Sequence, residues 1–416
     1  MTQRLTSLLG AFCLLLVAYA LAPSSSRKAV SFSRLGRGAL ILFVLGALLL
    51  RTPLRIGFGF ANAAVEKLLA FSQHGSEFVF GSLVTNTRSF GMIFAFQVLP
   101  TIVFFSALIS VLYHLRILPF IVRIFGRALS RSLGVSGAES FSTVADVFVG
   151  CAEAPLVIRP YIERMTLSEL NACMVAGFAT TSGSVLAAYV VMLRNYVPGI
   201  AGHLIVCSVL CAPASILIAK LLLPETAVPE TASASPIQMP RSTANVLDAV
   251  AAGTIDGVRL AVNVAAMLIV FLALTHLADW LLAFVGQHVF HASWSLEALL
   301  GALFSPLAWL MGAPWQDVSH LGALLGQKTV LNEFVAYSTM SQKLAADPAW
   351  LSPRGQLIAA YALCGFANFG TVGIQIAGYS SLAPSRRSDV ARIAPRALLG
   401  GLLTTCLVAC VAGVLA

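Results

Sequence analysis

The sequence predicts an all-α membrane protein with about eight transmembrane helices, two inverted re-entrant hairpins and one interfacial helix. Of its 416 residues, 58% are hydrophobic and only 10% are charged, whereas soluble domains carry about 25% charged residues. A chain with so few charges cannot cover a surface that faces water, so lipid must surround most of it. Only a helix satisfies its own backbone in lipid, so the long apolar runs are predicted to be helices.

Apolar runs long enough to span a bilayer recur along the chain. The second run is short for a crossing and must borrow residues from its flanks. The predicted crossings are 6–22, 38–50, 90–115, 167–193, 202–223, 246–285, 357–378 and 397–416.

The basic residues predict the orientation of these crossings. Arg4 alone precedes the first run, whereas Arg27, Lys28, Arg34 and Arg37 follow it. Because positively charged loops stay in the cytoplasm, this bias places the N-terminus outside and predicts an uncleaved first span. The later basic loops fall on the same side if the C-terminus is outside as well. Membrane topology therefore explains the net charge of +9, and no nucleic-acid partner is predicted.

Two segments outside the crossings have patterns of their own. Residues 119–133 are predicted to form an amphipathic helix in the membrane interface, because Arg123, Arg127 and Arg131 form a stripe opposite apolar side chains. Residues 224–245 are rich in Pro, Ser, Thr and Ala, and are predicted to be a mobile cytoplasmic linker between two halves of the chain.

Two further apolar segments, 140–165 and 299–340, are interrupted by Gly, Pro and acidic residues. If each enters and leaves the membrane on one side, the charge topology is preserved and the two hairpins are inverted relative to each other. Each is followed by a crossing with a weak centre, at 179–184 and at 366–371. A hairpin followed by a broken helix, twice and in opposite senses, indicates a secondary transporter, in which exposed backbone coordinates substrate and ions.

This pattern divides the chain into six predicted parts. Two parts form a scaffold, two carry a hairpin with its broken helix, and a linker and a last crossing complete the chain. The predicted boundaries are 1–134 (scaffold with the interfacial helix), 135–223 (first hairpin repeat), 224–246 (linker), 247–298 (scaffold), 299–380 (second hairpin repeat) and 381–416 (last crossing).

Three acidic residues lie at membrane depth in the predicted hairpins. Asp146 and Glu153 belong to the first hairpin, and Glu333 belongs to the second. A carboxylate in the bilayer costs about 2.5–3.5 kcal/mol on insertion scales, so such residues usually face a wet cavity and have a function. The alternative for the two glutamates is a structural role, capping a hairpin turn or pairing with Lys328. The alternative for Asp146 is a position near the cytoplasmic mouth.

Other features weigh against other classes of protein. The eight cysteines lack metal-binding spacing and mostly lie in apolar runs, so they are predicted to be buried thiols. The sequence has no Gly-x-x-x-x-Gly-Lys-Ser/Thr motif for nucleotides and no hydrolase motif. A membrane enzyme that uses Glu153 or Asp146 as an acid or base, and a transporter of a different polar solute, are the alternatives. A passive channel would not need two carboxylates on discontinuous hairpins.

Long motifs from about residue 140 to the C-terminus resemble those of the concentrative nucleoside transporter family. They are VFVGCAEAPLVIRPYI at 147–162, SELNACMVAGFATTSGSVLAAYV at 168–190, DGVRLAVNVAAMLI at 256–269, GQKTVLNEFVAY at 326–337, ALCGFANFGTVGIQIAG at 362–378 and APSRR at 383–387. The lack of extra N-terminal spans in this sequence is like the bacterial branch of the family. The resemblance implies a homotrimer in a bacterial inner membrane, nucleoside as substrate, and elevator-like motion against the scaffold. It implies no enzymatic activity and no cofactor besides Na⁺ or H⁺, and the charge pattern places both termini in the periplasm.

The resemblance also implies a substrate site. Glu333 would accept hydrogen bonds from the ribose hydroxyls, and Asn368 and Thr371 of the broken seventh crossing would bind the sugar. Phe366 in the same crossing belongs to this site, and Glu153 would lie on the side of the base. The chemistry agrees, because a ribose diol offers two adjacent donors that a carboxylate and an amide can bind.

The two residues before Glu153 depart from the family pattern. Members usually have Gln-Thr there, and those side chains read the nucleobase, whereas this chain has Cys151 and Ala152. Strong donors and acceptors are missing, so base recognition would have to use backbone, water or Glu153. The preference for purines or pyrimidines stays open.

An ion site implied by the resemblance comprises Asp146, Val149, Thr180 and Thr181. Sodium-coupled members have Asn at the Asp146 position, and a hydroxyl group and carbonyls complete their site. A carboxyl group there can strengthen a sodium site, because hard cations prefer oxygen ligands, or it can bind a proton itself. The sequence leaves sodium and proton coupling open.

Overall fold

The structure, a computed structural model, describes residues 2–51, 55–86, 93–232, 243–290 and 295–415. These ranges contain helices and no strand, which confirms the predicted all-α class. We label the helices of ten or more residues in chain order. They are α1 (Thr2–Ala20), α2 (Phe32–Arg51), α3 (Arg55–Phe80), α4 (Leu99–His114), α5 (Ile117–Leu133), α6 (Gly137–Asp146), α7 (Leu167–Ala179), α8 (Gly183–Leu193), α9 (Ile200–Leu222), α10 (Val246–Val285), α11 (Leu296–Leu310), α12 (Val318–Val330), α13 (Glu333–Ala346), α14 (Pro353–Leu363), α15 (Phe369–Leu382) and α16 (Arg387–Leu415).

Within the described ranges, 7 helical segments are long and apolar enough to cross a membrane. The helix α2 extends beyond the predicted run at 38–50, because it takes in residues on both flanks. The predicted crossing at 357–378 is divided between α14 and α15, which have 11 and 14 residues and are each too short to span alone. The multi-spanning class is confirmed, while the total number of crossings stays a prediction.

Burial separates an inner bundle from outer helices. In the apolar stretch of Leu167–Leu193, 94% of the residues are buried. In that of Val246–His288, only 17% of the residues are buried. At the centre, α16 packs against α7, α9 and α14. The contact with α7 is close at Gly401, where a Cβ would lie 2.3 Å from the Cβ of Phe178. The exposed apolar side chains of the outer helices suit contact with lipid.

The outer helices α4 and α10 pack through small residues. A Cβ on Gly253 would lie 2.7 Å from the Cα of Ala107, and one on Gly257 would lie 2.7 Å from the Cα of Val103. Glycines four residues apart lie on one helix face and let two backbones approach closely. This contact joins α4, which lies before α5 and the first hairpin, to the long helix α10, which lies before α11 and the second hairpin.

The first hairpin begins with α6 and turns back at residues 147–153, which we call the first tip. Its second arm contains the helical turn Ala154–Val157, which packs against α6, and the 3-10 helix Arg159–Arg164. The next helix is interrupted at residues 180–182, between α7 and α8. We call this interruption the first break.

The second hairpin consists of α12 and α13, joined by Leu331 and Asn332. Residues 299–310, which the sequence pattern assigned to this hairpin, belong to the separate helix α11, which packs along α12. The helix after the hairpin is interrupted at residues 364–368, between α14 and α15, and we call this interruption the second break. Both predicted units of hairpin and broken helix are therefore present.

Two parts of the chain differ from the sequence pattern. The helix α3 has 26 residues in a stretch for which the pattern predicts no element, because polar and charged residues interrupt its apolar runs. In the predicted linker, Thr231 is buried and its carbonyl accepts a hydrogen bond from the Gly137 backbone N–H at 3.0 Å. The linker up to residue 232 thus contacts the start of α6, and residues 233–242 lie outside the described ranges.

The helix α5 coincides with the predicted interfacial helix at 119–133. Arg123, Arg127 and Arg131 are exposed along it, and Phe120 is 62% exposed beside them. Both the basic stripe and apolar side chains face outward. This arrangement suits a helix that lies between lipid head groups and acyl chains.

Capping boxes start both α6 and α7. The side chain of Ser136 accepts from the Glu139 N–H, and that of Thr166 accepts from the Glu169 N–H, while each glutamate accepts in return from the N–H of its partner. Lys220 of α9 lies 2.8 Å from Glu139. These pairings satisfy the backbone donors that a helix start leaves free and connect the first hairpin to α9.

Two arginines tie the repeats to α16. Arg386 donates to the Met165 carbonyl at 2.7 Å, at the end of the first hairpin. Arg354 donates to the carbonyls of Gly312 at 2.9 Å and Gly413 at 2.8 Å. Each guanidinium group donates hydrogen bonds to carbonyl groups at the ends of several elements, and so holds those ends together.

Gly365 in the second break generates a stability prediction. Its φ of +126° is rare for L side chains, and a Cβ there would lie 2.6 Å from the Ala179 carbonyl oxygen. We expect Gly365→Ala to destabilise the fold by about 1–3 kcal/mol or more, seen as a lower melting temperature in detergent. Gly373→Ala is the matched control, because its added Cβ has open space. Equal melting temperatures of the two variants would contradict this role.

Candidate functional site

The two breaks touch each other inside the bundle. The hydroxyl of Thr181 in the first break lies 3.5 Å from the thiol of Cys364 in the second. Gly365 approaches the end of α7 as described above. The end of α7 and the second break therefore converge on one buried place.

Glu333 lies at the first position of α13, directly after the hairpin turn, and is only 2% exposed. The Tyr189 hydroxyl donates to its Oε1 at 3.1 Å, and the Asn368 amide donates to its Oε2 at 2.9 Å. Each carboxylate oxygen can accept two hydrogen bonds, so each keeps acceptor capacity for a ligand. The carboxylate is thus held in place without being saturated.

Asn368 starts α15 and links it to Glu333. Its Oδ1 accepts from the Thr371 backbone N–H at 2.9 Å and from the Thr371 hydroxyl at 3.1 Å, while its amide nitrogen binds Glu333. The structure therefore brings Glu333, Asn368 and Thr371 together, as the resemblance implies. Phe366, two residues before Asn368, is half-buried in the second break.

Lys328 does not neutralise Glu333 through a hydrogen bond. Its buried ammonium group donates to the Ala362 carbonyl at 2.8 Å and to the Thr405 hydroxyl at 2.9 Å. The ammonium thus binds a carbonyl near the end of α14, where the helix dipole favours a positive charge. The alternative in which Glu333 is bonded directly to Lys328 does not match this geometry.

The first tip packs against the first break. The Gly183 N–H donates to the Phe148 carbonyl at 3.1 Å, and Gly150, with a φ of +92°, leaves no room for a Cβ beside Ser182. Glu153 and Ala152 are exposed at this tip, and Cys151 is half-buried. In the described part of the chain, no hydrogen bond joins these three side chains to Glu333.

Asp146 ends α6 and is 1% exposed, and its Oδ1 has no hydrogen-bond partner among the described residues. Thr180 is buried in the first break, and its hydroxyl donates to the Ala176 carbonyl at 2.9 Å. Val149 lies in the first tip and is half-buried. A buried carboxyl oxygen without a partner is compatible with a bound cation or with a proton on the carboxyl group itself.

Two polar residues of this region, Tyr189 and Gln375, were not predicted from the sequence. Tyr189 binds Glu333, and Gln375 is 1% exposed with its amide donating to the Met174 carbonyl at 3.1 Å. Gln375 had a visible signal, since Asn368, Thr371 and Gln375 form a polar stripe at helical spacing in an apolar segment. Tyr189 had only the general expectation that a buried tyrosine hydroxyl finds a partner.

Comparison with protein-family models gives three matches. Residues 203–413 match the "Na+ dependent nucleoside transporter C-terminus", and residues 9–83 match the corresponding N-terminus. Residues 95–195 match a model described as "Nucleoside recognition". The first of these alone covers half of the chain and includes the second hairpin and the second break.

Curated relatives and solved structures agree with these matches. An uncharacterized transporter of Haemophilus influenzae is 42% identical over 98% of this chain and 97% of that protein. Sodium/nucleoside cotransporter 1 of Rattus norvegicus is 38% identical over 99% of this chain, which spans 64% of the rat protein. The structure of CNTnw in an inward-facing substrate-bound state is 41% identical with a TM-score of 0.91, covering 99% of this chain and 98% of CNTnw.

A variant of CNTnw in an outward-facing state matches equally well, with a TM-score of 0.91 and 41% identity over 100% of this chain and 98% of that one. The resemblance seen in the motifs thus extends to the whole fold. The chain belongs to the Na⁺-dependent, concentrative nucleoside transporter family.

Proposed function

We propose that this protein transports nucleosides into the cell together with a cation, by alternating access. The observation that carries the proposal is the buried Glu333 carboxylate, oriented by Tyr189 and Asn368 where the second hairpin meets α8 and the second break. Relatives named as nucleoside cotransporters, and related structures in inward-facing and outward-facing states, support it.

The sugar would bind at Glu333 and Asn368. Two adjacent ribose hydroxyls can donate to the two oxygens of one carboxylate. Such charge-assisted hydrogen bonds are stronger than bonds between neutral groups. The Thr371 hydroxyl already donates to Asn368, so its oxygen is left to accept a hydrogen bond from the sugar. The base would extend toward the first tip, with Cys151 and Ala152 as small neighbours, the Glu153 carboxylate in reach of base donors and Phe366 as an aromatic surface.

The coupling cation would bind around Asp146, with Val149, Thr180 and Thr181 as further oxygen donors. The unpartnered Asp146 oxygen supports this location, and the sodium dependence in the family description favours Na⁺ over a proton. Sodium prefers oxygen ligands, which carboxylate, hydroxyl and carbonyl groups supply. A proton bound to Asp146 would satisfy the same oxygen and is the competing mechanism.

Alternating access would move the two hairpin repeats against a scaffold like an elevator. The division between a buried inner bundle and the outer pair α4 and α10 supports such a separation. We further propose a homotrimer in a bacterial inner membrane with both termini in the periplasm, following the charge pattern and the bacterial relatives.

The sugar site is tested by Glu333→Gln. The amide would direct a donor at Tyr189 or Asn368 and remove the charge, so uridine should bind about 10- to 150-fold more weakly, from 1.5–3 kcal/mol for a charged hydrogen bond. Binding is measured by calorimetry on purified, monodisperse protein. Glu297→Gln is the control, because Glu297 pairs with Lys343 at a partly exposed position. Unchanged uridine affinity in Glu333→Gln would show that the Glu333 carboxylate does not bind the sugar.

Base selectivity should be shallow. Cys151 and Ala152 offer no strong donor or acceptor to separate one base from another, so purine and pyrimidine nucleosides should compete for uptake within about tenfold, or 1.4 kcal/mol. The measurement is inhibition of radiolabelled uridine uptake by a panel of nucleosides. One base favoured by far more than tenfold would show that the tip reads the base strongly.

The identity of the coupling ion is tested in proteoliposomes, on which a sodium gradient or a pH gradient is imposed separately. A sodium gradient at equal pH should drive uridine accumulation. Asp146→Asn should raise the half-saturating sodium concentration about tenfold, because it removes a charged ligand, and Asp347→Asn at an exposed position should not. Accumulation driven by a pH gradient without sodium, and lost in Asp146→Asn, would replace this mechanism by proton coupling.

A further inference from the structure

Gln375 is a buried amide whose bonding is incomplete. Its side chain is 1% exposed, and its Nε2 donates to the Met174 carbonyl of α7 at 3.1 Å. Its Oε1 has no hydrogen-bond partner among the described residues. Buried polar atoms are nearly always paired, and an unpaired one costs about 1–3 kcal/mol.

The position of this amide is next to the proposed substrate site. Gln375 follows Thr371 by four residues in α15, so both side chains lie on one face about one turn, roughly 5.4 Å, apart. A Cβ on Gly177 of α7 would lie 2.9 Å from Gln375 Nε2 and 2.9 Å from the Cβ of Cys151. The amide and the first tip therefore flank the same glycine. A larger residue at 177 would push them apart.

In the proposed pose the base points from the sugar toward the first tip, on the side where this amide lies. A sugar held at Asn368 and Thr371 has its base one ring further along, which is about the rise of one helical turn. Moving in that direction along α15 leads to Gln375, with Cys151 as a small side chain beside it. The amide nitrogen is engaged by Met174, so the group that Gln375 presents to a ligand is an acceptor.

We infer that Gln375 is a base-recognition residue, whose Oε1 accepts a hydrogen bond from an N–H group on the edge of the nucleobase. The inference rests on the proposed nucleoside transport. The ligand class is a ribonucleoside with an N–H donor on the base, which includes the ring N–H of uridine and the exocyclic amines of cytidine and adenosine. Because all of these carry such a donor, one acceptor contributes affinity for each of them without selecting strongly among them.

The test compares uridine with pyrimidin-2-one ribonucleoside, which has the same sugar and ring but neither a ring N–H nor an exocyclic amine. Calorimetry on the purified full-length protein in sodium buffer gives both dissociation constants. Wild type should bind uridine about three- to tenfold more tightly than the analogue, as expected for one neutral hydrogen bond. Gln375→Met, which keeps the length and removes the amide, should bring this ratio close to one by weakening uridine alone.

Gln356→Met is the matched control, because the Gln356 amide donates to the Leu351 carbonyl at 3.0 Å at the start of α14. Its ratio should equal that of wild type. A wild-type ratio of one overturns the inference without any variant, and so does an equal loss of both ligands in Gln375→Met, which marks a structural role. If wild type binds no nucleoside at all, the proposed function itself fails.

Discussion

Backbone groups that lie inside a membrane without water must find partners within the protein, and this requirement shapes the centre of the molecule. Two helices stop and restart there, at the first and second breaks, and two hairpins turn nearby. Asn368 caps α15, which restarts after the second break, and Asn332 caps the second arm of the second hairpin. The Phe148 carbonyl accepts from the Gly183 N–H at 3.1 Å, and Lys328 binds the Ala362 carbonyl. At each break, a side chain or the hairpin of the same repeat thus supplies hydrogen bonds to backbone groups at the helix ends.

One of these capping residues, Asn368, also belongs to the proposed substrate site. Asn368 uses its oxygen to start α15 and its nitrogen to hold Glu333, so a change at the carboxylate is transmitted directly to the start of a helix. A ligand that forms hydrogen bonds with Glu333 would therefore alter the bond between Glu333 and Asn368 in the second break. The second break in turn contacts the first break through Cys364 and Thr181. Packed contacts of this kind couple a small rearrangement at a site to the movement of whole helices.

The sequence was sufficient for features that repeat along the chain and insufficient for contacts between distant parts. Composition and apolar runs indicated the membrane class, and Gly and Pro within apolar segments located both hairpins. The extent of the second hairpin was misjudged, because α11 is as apolar as the arm α12 that it packs against. Of the two residues that bind Glu333, Asn368 was predicted from the motif resemblance. Tyr189 was not predicted, because a contact between residues 144 positions apart leaves no local pattern in the sequence.

The two repeats treat their buried charges differently. In the second repeat, the buried Lys328 donates two hydrogen bonds close to the end of α14, to the Ala362 carbonyl and the Thr405 hydroxyl. In the first repeat, Asp146 is buried with an oxygen that has no partner among the described residues, and no lysine occupies the corresponding hairpin arm, since α6 contains no basic residue. We propose that the coupling cation at Asp146 can leave, whereas Lys328 stays beside the second break. In the proposed mechanism this asymmetry makes the geometry of the first hairpin depend on ion binding, while the carboxylate that holds the sugar stays oriented by its own partners.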